Sequence, residues 1–228
     1  MGLKVKCPKC NEDIEIEVPN ELKNRESLIY LPVIHGDPPH VLVVTLSPDG
    51  KVYGTIVYET VLSFYSNVMD VINILGPKNF AKLIAAALTN TKVRVVAPND
   101  FYSRVSSVLQ YLNISLSLDE NSPIIFDFLA KRFPKNIPGE RYIGKILDKI
   151  SDSKNPEEVG KKLREEILKI QKTLLDIEQF LKKIPERGIN FIVLMTKHKV
   201  KDKDLMELIR AFLKNKGLDK KYFELKPF

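Results

Sequence analysis

Asn155-Pro156-Glu157-Glu158, followed by apolar residues at 163, 167, 170, 174, 177, 181 and 184, constrains the fold of this chain of 228 residues more than any other feature. Steps of four and three hold those seven side chains on one stripe of an α-helix. Asn155 is a cap acceptor, Pro156 suits a first turn, and the two glutamates sit at the positive end of the helix dipole. The pattern predicts a helix running from 155 nearly to Ile184, where Pro185 ends it. Such a stripe needs an apolar partner, either the chain's own core or a second helix in a hairpin or dimeric coiled coil. Leu168, Leu175 and Phe180 widen it and favour packing on the chain's own sheet.

The rest of the chain alternates two periods. Residues 3–6 and 13–18 alternate as short strands around Cys7-Pro-Lys-Cys10, and 28–33 is a third strand. After the loop His35-Gly-Asp-Pro-Pro-His40, residues 41–46 and 51–58 form a hairpin turning at Pro48-Asp49-Gly50. From Glu59 the period becomes helical, with Leu62, Tyr65, Val68, Ile72 and Leu75 on one side. Gly76-Pro77 breaks this helix, and a second, apolar one covers 79–88. Residues 92–97 read as a buried strand, Pro98-Asn99-Asp100 as a helix start, and 101–112 as the helix. Short helices are expected at 125–132 and 143–150, a buried strand at 190–196, and a closing helix at 204–216 capped by Gly217. The apolar runs 92–97 and 190–196 have the character of parallel strands covered on both faces.

The expected fold class is therefore α/β (mixed α+β). A β-rich unit at 1–57 carries the Cys-x-x-Cys knuckle and hairpin. A body at 58–228 is a helix-covered sheet with the long basic amphipathic helix. The helix–strand–helix stretch 75–112, which begins LGPKNFAKLIAAALTNTKVRVVAP, resembles the central part of longin and DENN modules. That resemblance covers under a fifth of the chain on apolar patterning alone, and no function is carried over from it.

Cys7 and Cys10 are the chain's two cysteines, and a strand–CPKC–strand arrangement points two thiolates at one ion. His35 and His40, flanking the next interstrand loop, complete a Cys2His2 set for one structural zinc at one end of a small sheet. Other readings of the knuckle are a zinc shared between two protomers, a redox pair, and no metal. The redox reading lacks the βαβ context, since residues 1–20 are all β in pattern.

Charge divides the chain. Residues 131–228 hold 25 of the 36 Lys and Arg but 15 of the 29 Asp and Glu, a net +10, which leaves −3 on the first 130. Lys161, Lys162, Lys169 and Lys172 on the long helix are the candidate phosphate contacts if the partner is nucleic acid. The alternative is Lys and Glu alternating on solvated helices, which together with the absence of Trp fits a heat-adapted protein.

Gly139-Glu-Arg-Tyr-Ile-Gly144-Lys145-Ile146 matches G-x4-G-K but places Ile where Ser or Thr should hold magnesium, and its interior residues are bulky. It is read as coincidence. The chain contains no G-x-S-x-G, H-E-x-x-H or G-x-G-x-x-G motif. Asn99 and His198, each after an expected strand, with Arg104 nearby, form a candidate crevice for a small anion or nucleotide.

No apolar run reaches the roughly 20 residues of a membrane span, and MGLKVKCPKC contains no secretory apolar segment. A cytoplasmic setting is expected. The leading expectation is a non-enzymatic adaptor or regulatory protein that works through protein partners or self-association. Nucleic-acid binding comes second and anion sensing third.

Overall fold

A computed structural model describes residues 2–18, 28–37, 39–59, 61–150, 155–184 and 189–223. Fold content is mixed α+β, with a β-rich N-terminal region preceding the helices. β1 (Gly2–Lys6) and β2 (Asp13–Glu17) form an antiparallel hairpin. β3 (Ile29–His35), β4 (His40–Leu46) and β5 (Val52–Tyr58) form a second antiparallel sheet in sequential order. The turn from β4 to β5 lies where Pro48-Asp49-Gly50 predicts it. Ser47 and Lys51 bond across it, and Gly50 takes the left-handed conformation (φ 81°) that its lack of a Cβ permits.

β4 is buried along its whole length, and alternation sends its side chains to two different cores. Val41 and Val43 face the helices, whereas Leu42, Val44 and Leu46 pack with Val5, Cys7 and Ile16 of the β1–β2 hairpin. The hairpin is thus stacked on the three-stranded sheet, and the opposite face of that sheet meets the helical body.

The body comprises α1 (Val61–Leu75), α2 (Pro77–Leu88), α3 (Asn99–Tyr111), α4 (Glu140–Ile150), α5 (Pro156–Lys182), α6 (Phe191–Lys197), α7 (Lys203–Asn215) and α8 (Leu218–Phe223). Asn155 caps α5 as its sequence predicts, its side chain accepting from the Glu157 amide at 3.0 Å. The stripe Leu163, Ile167, Ile170, Leu174, Ile177 and Leu181 is buried in the chain's own core, where α5 packs on α1, α4 and α7. The seam is therefore spent internally, on helices rather than on the expected sheet. Of the residues expected on the inner side of α1, Val68 and Leu75 are buried and Ile72 is partly so; the side chains of Leu62 and Tyr65 lie outside the described residues. Gly76-Pro77 bends the chain by 113° between Val68–Leu75 and Pro77–Leu88. Among the described residues, no single helix is long and apolar enough to cross a membrane.

Three further expectations fail. Residues 190–196 are not a strand: Asn190 accepts from the Ile192 amide at 2.8 Å and starts α6. The β-branched pair Ile192 and Val193 that suggested a strand is exposed, and Leu194 and Met195 are buried instead. Residues 125–132 are not a helix. β8 (Ile125–Asp127) pairs in parallel with β6 (Lys92–Val96), and the chain then folds back so that Asp127 and Arg132 bridge. Phe126, Phe128 and Phe133 pack edge-on or stacked there, with Phe101 against Phe128. With β7 (Ser117–Leu118) on its other side, β6 forms a small parallel sheet. Of its five residues only Val93 is fully buried, while Lys92 and Arg94 are exposed, so it is not covered on both faces.

Candidate metal centre

β1 ends one residue before Cys7, and β2 begins three after Cys10, so the knuckle is the hairpin turn itself. The Cys7 amide donates to the Glu12 carbonyl and the Asn11 amide to the Cys7 carbonyl, each at 2.9 Å, which closes the turn. Asn11 sits at φ 61°, a conformation that Asn tolerates better than most residues. His35 and His40 are the last residue of β3 and the first of β4, and they face each other across the ladder. Gly36 makes the connection feasible: its φ is +81°, and a Cβ there would come within 2.4 Å of His40 Cε1.

Stacking the hairpin on the three-stranded sheet brings the two turns together. One ligand atom from each of Cys7, Cys10, His35 and His40 lies within 4.8 Å of the others. His40 Nε2 is 3.4 Å from Cys7 Sγ, and His35 Nδ1 is 3.7 Å from Cys10 Sγ. An ion bound tetrahedrally by sulfur and nitrogen at ordinary zinc distances separates those atoms by about 3.6 Å. The two sulfur–nitrogen pairs, at 3.4 and 3.7 Å, are close to the spacing such an ion imposes. Cys7 and His40 are fully buried, while Cys10 and His35 lie nearer the surface. The sequence expected all four at one end of one small sheet; they come instead from turns of two stacked sheets.

The electrostatics favour a thiolate. Burial pushes the Cys7 thiol up, but the Cys10 amide, the His40 ring and the Lys9 amide outweigh it and bring the thiol down to about 6. The Lys9 amide points at Cys7 Sγ from 3.4 Å. Cys10 moves the other way: its burial, followed by the neighbouring Cys7 sulfur and Glu12, raises it despite the Glu12 amide. For the pair as a whole, loss of the first proton is favoured and loss of the second opposed, so ligation by both sulfurs would displace a proton.

Sequence reasoning missed three supports. Glu12 places a carboxylate 3.4 Å from His35 Nδ1 and 3.6 Å from Cys10 Sγ. Gly36 has the close approach just described. Lys9 reaches from the knuckle to both the side chain and the carbonyl of Glu59, just beyond β5. A glycine beside the first histidine and an acid two residues after the second cysteine were the available signals. His35 Nε2 is buried with no hydrogen-bond partner, so the usual outer-shell acceptor for that ring nitrogen is missing among the described residues.

The other candidate residues are not drawn together. Lys161, Lys162 and Lys169 each pair with an acid on their own helix, Glu157, Glu158 and Glu166 respectively. Lys172 is exposed. The outer face of α5 is an interleaved ion-pair surface, not an uninterrupted basic stripe. His198 is the C-cap of α6 and packs edge-on against Phe180 of α5, 5.6 Å between ring centroids. The strand end that was to carry it does not exist. Arg104 is exposed on α3, and the side chain of Asn99 lies outside the described residues. The G-x4-G-K match falls on α4, and Lys145 binds Asp202 and Asp204. Gly139 there serves packing, since a Cβ would meet Leu208 at 2.5 Å.

Comparison with protein-family models, with curated proteins and with solved structures finds no match for this chain.

Proposed function

We propose that this chain is a non-enzymatic adaptor or regulatory protein that acts through protein contacts, its N-terminal β unit stapled by one structural zinc ion. The observation that supports this most directly is the convergence of two sulfurs and two imidazole nitrogens within 4.8 Å. Four protein ligands fill a tetrahedral zinc and leave no position for water or substrate. The ion would therefore supply folding energy and hold the hairpin to the sheet. Thiolate and imidazole together suit zinc far better than magnesium or calcium, which take oxygen ligands. In this reading Cys7, Cys10, His35 and His40 are ligands, and Gly36 gives the His40 ring room beside the turn. The acid partners of Lys161, Lys162 and Lys169 favour protein contacts over phosphate contacts.

Metal analysis of protein purified without chelator tests the staple. One zinc per chain is the expected result, with loss of the metal in Cys7→Ser and His40→Ala. Half an equivalent would assign the ion to two chains, and a ratio near zero would end the zinc reading. Titration with duplex and single-stranded nucleic acid over a salt series tests the contact reading. Tight binding with a steep salt slope would replace protein contacts with nucleic acid as the partner class.

A further inference from the structure

We propose that the cavity between α5, the C-terminal ends of α2 and α7 and the start of β3 binds a small zwitterion, a free α-amino acid with an apolar or aromatic side chain. None of the four ligand candidates of the metal centre lines this cavity, so the inference goes beyond the reading above.

The walls set the body of the ligand. The cavity has a volume of about 360 Å³, within the range of small-molecule sites. Leu88, Ile114, Leu174 and Phe212, all buried, give it apolar sides, and Tyr30 adds a half-buried ring. The Tyr30 amide donates to Asn113 Oδ1 at 2.9 Å, which ties β3 to the loop after α3 before any ligand arrives. A space of this size with such walls suits an occupant with an apolar body, not a bare inorganic ion.

The charged groups set its head. Glu178 lines the cavity with only 9% of its side chain exposed, and a carboxylate so placed must be paired. Among the described residues its ion-pair partners are Lys182 at 3.0 Å and Lys216 at 3.9 Å, which line the same cavity. The second contact is beyond hydrogen-bond distance, and a carboxylate can accept about four bonds, so Glu178 keeps acceptor capacity. The two lysine side chains are 55 and 30% exposed, and Lys216 Nζ lies 5.8 Å from the centroid of the Phe212 ring. One carboxylate and two ammonium groups are therefore gathered at one apolar cavity. A simple anion there would face Glu178, and a simple cation would face both lysines. A head with both signs gives its ammonium to Glu178 and its carboxylate to Lys182 and Lys216. An α-amino acid carries both groups on one carbon, with its side chain left for the apolar walls.

Calorimetric titration of the full chain with L-leucine and L-phenylalanine tests the site. Phenethylamine and 3-phenylpropionate, each lacking one of the two charges, are the control probes. At least one amino acid should bind saturably at one per chain with a Kd below about 1 mM, and both control probes about tenfold or more weaker. Glu178→Gln should weaken the amino acid about tenfold and strengthen 3-phenylpropionate, which no longer meets a carboxylate. Lys182→Met alters an exposed side chain and so keeps the fold; it should weaken the amino acid and strengthen phenethylamine. Methyl resonances of Leu88, Ile114 and Leu174 should shift on binding. The proposal is overturned if neither amino acid binds up to about 10 mM, or if a one-charge probe binds as tightly as the amino acids. It is equally overturned by binding indifferent to Lys182→Met, or by methyl shifts confined to other parts of the molecule.

Discussion

The two cores of this molecule are completed in different ways. Between the β1–β2 hairpin and the three-stranded sheet, eight of the described residues are buried, and one of them is the ligand candidate Cys7. The helical core holds 40 buried residues among those described, from Phe80 and Leu83 of α2 to Leu213 of α7. A core of the second size can offset the chain's conformational entropy by apolar burial alone. A core of the first size is of the kind that small domains reinforce with a metal or a disulfide. The cluster at Cys7, Cys10, His35 and His40 lies at the end of that smaller core, where a staple has most to contribute. β4 belongs to both cores, so the weaker unit leans on the stronger one.

The largest expected effect is therefore local. Chelation should remove hydrogen-exchange protection from β1 and β2 while α5 and β4 keep theirs, a loss on the order of 4 kcal/mol if zinc stands a thousandfold above its Kd. Uniform protection with and without chelator would break the contrast between the cores. Phe80→Ala, at a fully buried side chain of α2, should cost about 3 to 5 kcal/mol in denaturant unfolding, and the loss should register in helical signal. A cost near zero would mean that the helical core is not held by packing.

Smaller effects sharpen the same contrast. Asp202 caps α7 by accepting from the amides of Asp204 and Leu205 at 2.8 and 3.2 Å. Asp202→Ala should cost about 1 kcal/mol and leave the metal content unchanged. A change in bound metal would couple the two units more tightly than their separate cores allow. Burial lowers the pKa of His198 below its ordinary 6.5, and the unfolded chain therefore binds more protons over that window. The stability this contributes is present above 6.5 and is lost as pH falls through the lower folded value. His198→Phe should flatten the stability profile on the acid side of 6.5, and an unchanged profile would remove His198 as its source.

Much of the architecture was legible because it depends on short-range chemistry. Asn155-Pro156 and the spacing 163 to 184 specify α5, and Pro48-Asp49-Gly50 specifies the β4–β5 turn. The four ligand candidates were legible as residue types, because two thiols on a tight turn and two histidines flanking a loop suit one kind of ion. Residues 190–196 and 125–132 were misread because a short apolar run fits a strand or a helix equally well. At 190–196 the cap on Asn190 decided for helix. At 125–132 pairing with β6 and the phenylalanine cluster decided for strand and turn.

By itself the sequence determined where α5 starts, where the β4–β5 hairpin turns and which side chains carry metal-suited donor atoms, since those follow from φ preferences, caps and donor atoms within a few residues. Tertiary structure alone decided the rest. It determined that the α5 stripe is buried on helices and that α6 exposes Ile192 and Val193. It also brought the turn at Cys7–Cys10 to the turn at His35–His40 by stacking two separate sheets. Burial and ligand convergence are properties of chain segments distant in sequence. No local pattern fixes which of several apolar surfaces a stripe or a strand will meet.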